Sequence, residues 1–246
     1  MHTRHLCLTL LAALLAGCGG GGGGPTNQLY QAVPGRYWEY SFAGTVTLPD
    51  GSVETAKNTS TLKMEVRKET SRDLNNTSVR ILDRTYSIER PDGRKVTATQ
   101  RLYFTQTAEG IFLHGINFTM GETVDPARDV FVPGTADPPF RFLYLPNPVP
   151  APYTHREPSP LGTAGAYEVT VGAAQGETEV PAGRFITRPL TLLRERFVKI
   201  ADAGDFVITN GRIAPDTGMV TGTLFAKLTD NTELEGTLRL VRNEIR

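Results

Sequence analysis

Apolar and polar side chains alternate one by one over long stretches of this chain, a period that suits strands and is incompatible with a helix, whose apolar positions recur about every 3.6 residues. From Arg36 onward Trp38, Tyr40, Phe42, Val46 and Leu48 share one face with Gly44, while Glu39, Ser41, Thr45 and Thr47 share the other. Pro49-Asp50-Gly51 follows and supplies a turn, because Asp-Gly takes positive φ angles at little cost. A return strand is then predicted over Thr61 to Lys68, with Leu62, Met64 and Val66 alternating against Lys63, Glu65 and Arg67.

The plan repeats. Val79 to Arg90 and Arg94 to Thr107 flank Pro91-Asp92-Gly93, with Tyr86, Ile88, Leu102 and Phe104 as candidate inward residues, and Gly110 to Met120 reads as another strand. Strands are also expected over Ala166 to Val171, Gly183 to Leu193 and Arg196 to Ile200. The closing hairpin alternates Val220, Leu224, Ala226 and Leu228 with Thr221, Thr223, Lys227 and Thr229, turns at Asp230-Asn231, and returns through Leu234, Leu238 and Leu240. Ten of the 17 prolines lie between Pro126 and Pro160. Proline lacks the donor that a ladder needs, so this segment is excluded from the centre of a sheet. With Phe140, Phe142, Leu143, Tyr144 and Leu145 inside it, it reads as a strand and a packed extended crossover, or as the boundary of two subdomains. The sequence leaves room for one short helix between Pro126 and Val132. The expected fold is all-β, a mainly antiparallel sheet curved into a half-barrel or barrel with a proline-rich crossover.

The N-terminus carries an address. Met1 to His5 include Arg4, and Leu6 to Ala16 form an apolar run of eleven residues, the pattern of a secretory signal peptide and too short for a permanent span, which needs roughly 20 apolar residues. Leu15-Ala16-Gly17-Cys18 resembles the lipobox of bacterial lipoproteins. That resemblance implies cleavage before Cys18, acyl chains on Cys18, attachment to a membrane, and, with Gly19 in place of a retaining aspartate, an outer-membrane destination facing either the periplasm or the cell surface. Residues 1 to 17 are then signal peptide, 18 to 28 the lipidated cysteine with a flexible tether built on Gly19 to Gly24, and 29 to 246 a single β-rich body.

Composition narrows the possibilities. Loss of residues 1 to 17 leaves 25 basic and 26 acidic residues, a formal charge of −1 without basic clusters, which argues against nucleic acid as a partner. Cys7 leaves with the signal and Cys18 is acylated, so neither a disulfide nor a cysteine metal site is expected.

Three further stretches carry a resemblance. Leu29-Tyr30 through Pro34-Gly35-Arg36-Tyr37-Trp38-Glu39-Tyr40, Leu143-Tyr144-Leu145-Pro146-Asn147-Pro148 and Val180-Pro181-Ala182-Gly183-Arg184-Phe185 resemble motifs of uncharacterised bacterial envelope lipoproteins. Those in turn look similar to the half-barrel of the carriers that move lipoproteins across the periplasm. Arg184 stands where the family has threonine, and Ala214 to Val220 match its glycine-valine-glycine signature only in part. The resemblance implies a fold and brings no catalytic residue with it.

The chemistry-bearing residues are sparse. No nucleophile elbow, zinc-protease helix motif, phosphate loop or EF-hand loop is present. His114 sits in an apolar strand, where hydrogen-bonded packing is the simpler reading than a general base, and His155 lies beside Tyr153, Arg156 and Glu157 in the proline-rich segment. Glu122, Asp125 and Asp129 lack zinc spacing; with backbone carbonyls they are a calcium possibility, or a solvated acidic loop. Arg194-Glu195-Arg196 reads as an exposed patch of alternating charge. No cofactor is implied. The face formed by Trp38, Tyr40, Phe42, Leu62, Met64 and Val66 is either sheet core or the lining of an open barrel that contacts an apolar or lipid ligand. The expected function is therefore a non-enzymatic, lipid-anchored envelope protein that binds an apolar or amphipathic molecule. A structural or accessory lipoprotein binding an envelope protein or glycan is the alternative, and a hydrolase the third reading.

Overall fold

The computed structural model describes residues 32–68, 73–74, 77–132, 142–146, 149–150, 152–158, 166–196 and 205–246. The expected signal peptide, the expected acylation site Cys18 and the expected tether lie outside these, as do Phe140 and the expected strand residues 197–200. The first half of the chain forms β1 (Arg36–Thr47), β2 (Val53–Thr55), β3 (Thr61–Val66), β4 (Asp73–Leu74), β5 (Thr77–Ser78), β6 (Arg80–Glu89), β7 (Lys95–Gln106), β8 (Gly110–Met120), β9 (Val130–Phe131) and β10 (Phe142–Pro146). The second forms β11 (Tyr153–Pro158), β12 (Ala166–Val171), β13 (Gly176–Val180), β14 (Gly183–Arg196), β15 (Asp205–Ala214), β16 (Gly218–Lys227) and β17 (Glu233–Ile245). Where a short helix was allowed, Pro126–Arg128 make a single 3-10 turn capped by the Asp125 side chain.

The fold is all-β. Fifteen strands join one antiparallel sheet whose main order is β10-β8-β7-β6-β3-β1-β17-β16-β15-β14-β12-β11, with β2, β9 and β13 pairing β1, β8 and β14. The order has a simple logic. The chain starts at the centre on β1 and steps outward strand by strand to β10. It then crosses to the opposite edge at β11 and steps back to the centre, where β17 closes against β1. The two strands inside the proline-rich segment, β10 and β11, are the two edges of the sheet, where a missing ladder donor is tolerated. The sheet is curved but not closed: β10 and β11 do not pair with each other.

The period-two expectation holds for the inner face of β1 and β3, although the strand that folds back from Pro49-Asp50-Gly51 is the short β2 and β3 ends at Val66. Trp38 opposes Met64 and Tyr40 opposes Leu62, and all four are at most 4 % exposed, with Phe42 and Val66 at 1 % or less. Three side chains of β1 also hold the turn between β15 and β16, in which Asp216 and Gly218 both have positive φ. Arg36 Nη2 donates to Asp216 O at 2.8 Å, Trp38 Nε1 to Thr217 O at 2.6 Å and the Tyr40 hydroxyl to Met219 O at 2.9 Å. The aromatic face therefore has polar tips that clamp main chain two strands away. Tyr40→Phe strands the buried Met219 carbonyl, and urea unfolding is expected to show a loss of about 1–2 kcal/mol.

Gly44 and Gly236 face each other across the β1–β17 pair. A Cβ at Gly44 would stand 2.1 Å from Glu235 O, and one at Gly236 would stand 2.5 Å from Ala43 O. At this point β1 also exchanges its other neighbour, pairing β3 through Tyr37–Ser41 and β2 through Thr45–Thr47. The glycines permit the backbone approach that bends the middle of the sheet.

Candidate functional site

The concave face between the sheet's two arms carries a group of buried charged residues that periodicity alone does not explain. On β6 the inward series Leu82, Arg84, Tyr86, Ile88 places an arginine where alternation calls for an apolar residue, opposite Met64 of β3. On β14, Glu195 shares the inward face with Leu193 and is 1 % exposed, which corrects its reading as part of a solvated charge patch. Its neighbours Arg194 and Arg196 do face outward and pair with Glu168 and Asp205.

Arg84 and Glu195 meet across the interior. Arg84 Nη1 lies 2.7 Å from Glu195 Oε2 and Nη2 lies 2.9 Å from Oε1, the two-pronged geometry of a strong ion pair. Nη1 also donates to Gln100 Oε1 at 3.0 Å and Nη2 to the Tyr144 hydroxyl at 3.0 Å. The Tyr144 hydroxyl donates to Glu195, and the guanidinium carbon stands 4.5 Å from the centre of the Phe206 ring. Burial opposes the charge on Arg84, but the adjacent Glu195 carboxylate, together with Tyr144 and Tyr86, outweighs it and holds the guanidinium pKa above its usual value.

Tyr144 reaches this group through an irregularity of β10. Leu143 opposes Phe112 and Leu145 opposes the next residue, Ile111, so Tyr144 is the extra residue of a bulge, a device that re-aims a side chain. Its carbonyl accepts from the Tyr167 hydroxyl of β12, and the two rings stand 5.0 Å apart. Side chains therefore bridge the opening between the two ends of the sheet, where backbone pairing stops.

Beside the ion pair lies a cavity of about 30 Å³, space for one or two water-sized groups. Trp38, Met64, Leu102, Phe104 and Leu113 form its apolar wall, Arg84 and Tyr144 its polar corner, and the half-buried Leu82 and Ile111 the side nearest solvent. Of the six residues expected to line a ligand site, the structure brings Trp38 and Met64 to the cavity. Tyr40, Phe42, Leu62 and Val66 are packed into the core away from it.

Burial pushes the Tyr86 phenol, two residues along β6, well above its usual pKa; Arg84 opposes this and Glu195 adds to it. The folded state thus keeps the neutral phenol at a pH where the unfolded chain ionises. The stability this phenol contributes is complete below about pH 10 and is lost as the pH rises from there toward the folded-state value. An alkaline unfolding titration is expected to begin above about pH 10 and to shift upward in Tyr86→Phe.

The remaining sequence candidates stand apart. His114 is buried on β8 with Nε2 3.0 Å from Thr105 Oγ1. His155, on edge strand β11, stacks on Tyr153 and has Nε2 3.0 Å from Glu157 Oε1. Asp129 accepts from the Tyr103 hydroxyl and Asn117 Nδ2, both at 2.8 Å, and Asn117 Nδ2 also donates to Asp125 O, which pins the 3-10 turn to the outer face of the sheet, while the Asp125 carboxylate caps that turn by accepting from Ala127 N. Among the described residues no group of three metal-ligating side chains is found.

Fold and site together define a class: an up-and-down antiparallel sheet wound almost into a ring, with a buried ion pair across its interior and a small apolar cavity beside it. No protein-family model, curated protein or solved structure matches the chain.

Proposed function

We propose that this is a lipid-anchored protein of the bacterial cell envelope, attached to the outer membrane through acyl chains on Cys18, whose half-barrel binds an apolar or amphipathic molecule without transforming it. The observation that carries the binding reading is the apolar cavity under Trp38 and Met64 on the concave face of an unclosed sheet. Cavities with mostly apolar walls and a few convergent polar groups are where small molecules bind. The anchor rests on the Leu15-Ala16-Gly17-Cys18 stretch and the glycine tether behind it.

Two measurements test the two parts. Cells expressing the chain and fed radiolabelled palmitate should label it, and Cys18→Ala should abolish that label; undiminished label in the variant removes the anchor. For the ligand, the mature chain from residue 18 with Cys18→Ser is purified from the periplasm and weighed by native mass spectrometry before and after organic extraction. A reproducible extractable mass supports binding. A clean apo mass favours the second reading, an accessory lipoprotein that contacts an envelope protein or glycan through its surface. The packing of Tyr40, Phe42, Leu62 and Val66, each at most 1 % exposed, speaks for that reading by leaving the centre of the sheet filled.

A further inference from the structure

We propose that the polar corner of the cavity selects a short, neutral amphiphile: an apolar chain ending in an uncharged oxygen that accepts a hydrogen bond from Arg84 Nε. This rests on the apolar-ligand reading above and names the headgroup that reading leaves open. Arg84 is 3 % exposed and lines the cavity. Its two Nη atoms are taken by Glu195, Gln100 and Tyr144, whereas its Nε is buried without a hydrogen-bond partner. A buried donor without an acceptor is costly, and filling it is a source of affinity that a bare hydrocarbon does not have.

The charge balance decides the headgroup. Glu195 already neutralises the guanidinium with both carboxylate oxygens. A second carboxylate brought to Nε would add an uncompensated negative charge beside Glu195 in a desolvated site, which is strongly disfavoured. An alcohol, ether or ester oxygen supplies the acceptor without the charge. The size of the cavity sets the length: about 30 Å³ seats the head and the first carbon or two. The rest of the chain passes Leu82 and Ile111, which are only half-buried, so a short chain is favoured over one that would trail in water.

The test uses nuclear magnetic resonance on the mature chain from residue 18 carrying Cys18→Ser, titrated separately with 1-hexanol and with hexanoate at neutral pH. The Arg84 Nε–H signal reports the headgroup. The Met64 methyl and the indole N–H of Trp38, the sole tryptophan, report the apolar wall. Hexanol is expected to move all three saturably, with hexanoate binding weaker by about tenfold or more, because its carboxylate would be buried uncompensated beside Glu195. Leu82→Phe, which narrows the solvent side and keeps Arg84 itself, is expected to abolish the shifts in a chain that keeps its spectrum. Movement of Met64 and Trp38 with a stationary Arg84 Nε–H overturns the headgroup assignment while leaving the apolar-ligand reading in place. Hexanoate binding as tightly as hexanol overturns the selection for a neutral head, and no saturable shift with either probe overturns both readings.

Discussion

Arg84→Met is expected to cost about 3–5 kcal/mol in urea unfolding, because it leaves the Glu195 carboxylate buried with no countercharge. The same reasoning predicts that adding Glu195→Leu to Arg84→Met recovers most of the loss, since an apolar pair in this space carries no desolvation penalty of its own. The contrast with the surface is built into the same strand. Asp83 pairs on the outer face with Arg67, whose side chain is 45 % exposed, and Arg67→Met is expected to cost less than about 1 kcal/mol. A double-mutant cycle that finds Arg84 and Glu195 additive, or a single Arg84→Met as mild as Arg67→Met, would mean that the interior pair does not hold the two arms of the sheet together.

Gly44→Ala is the second large effect. The added Cβ would be driven to 2.1 Å from Glu235 O and 2.5 Å from the Gly236 Cα, and both are main-chain atoms of the paired strand, which cannot rotate aside. A loss exceeding about 3 kcal/mol, or a failure to fold, is expected. Gly51→Ala is the control: that glycine has nothing within 4 Å of an added Cβ, and only its positive φ is strained, for about 1 kcal/mol. Equal losses at the two positions, followed by thermal unfolding, would show that the close approach of β1 and β17 does not shape the sheet.

Much of the fold was legible because a half-buried antiparallel strand writes its two faces into alternate residues. That is why Trp38, Tyr40 and Phe42 were placed on the inner face, and why Asp-Gly turns located the hairpins. The prolines kept their segment out of the centre of the sheet but did not say that it supplies both edges: a strand and a crossover were expected where β10 and β11 stand. What stayed hidden was pairing at a distance. Nothing local says that Arg84 and Glu195 meet across 111 residues of sequence, and flanking arginines made Glu195 look solvated. One signal was present: Arg84 interrupts the apolar series from Leu82 to Ile88, and a charge in an inward register position asks for a buried partner. The bulge that turns Tyr144 inward has no such signature, because Leu143, Tyr144 and Leu145 are all apolar enough for either face.

The central pair β1–β17, matched from Arg36 with Ile245 to Thr47 with Glu233, bears on the order in which the protein comes into being. β17 is made last of all the strands in this sheet, yet it is the neighbour that β1, made first, must have. Until then each arm is a meander with its central strand open on one side, and the ion pair that spans them has no frame. Contacts so distant in sequence make for slow folding. A chain whose keystone arrives last joins its two arms only once every strand of the sheet has been made.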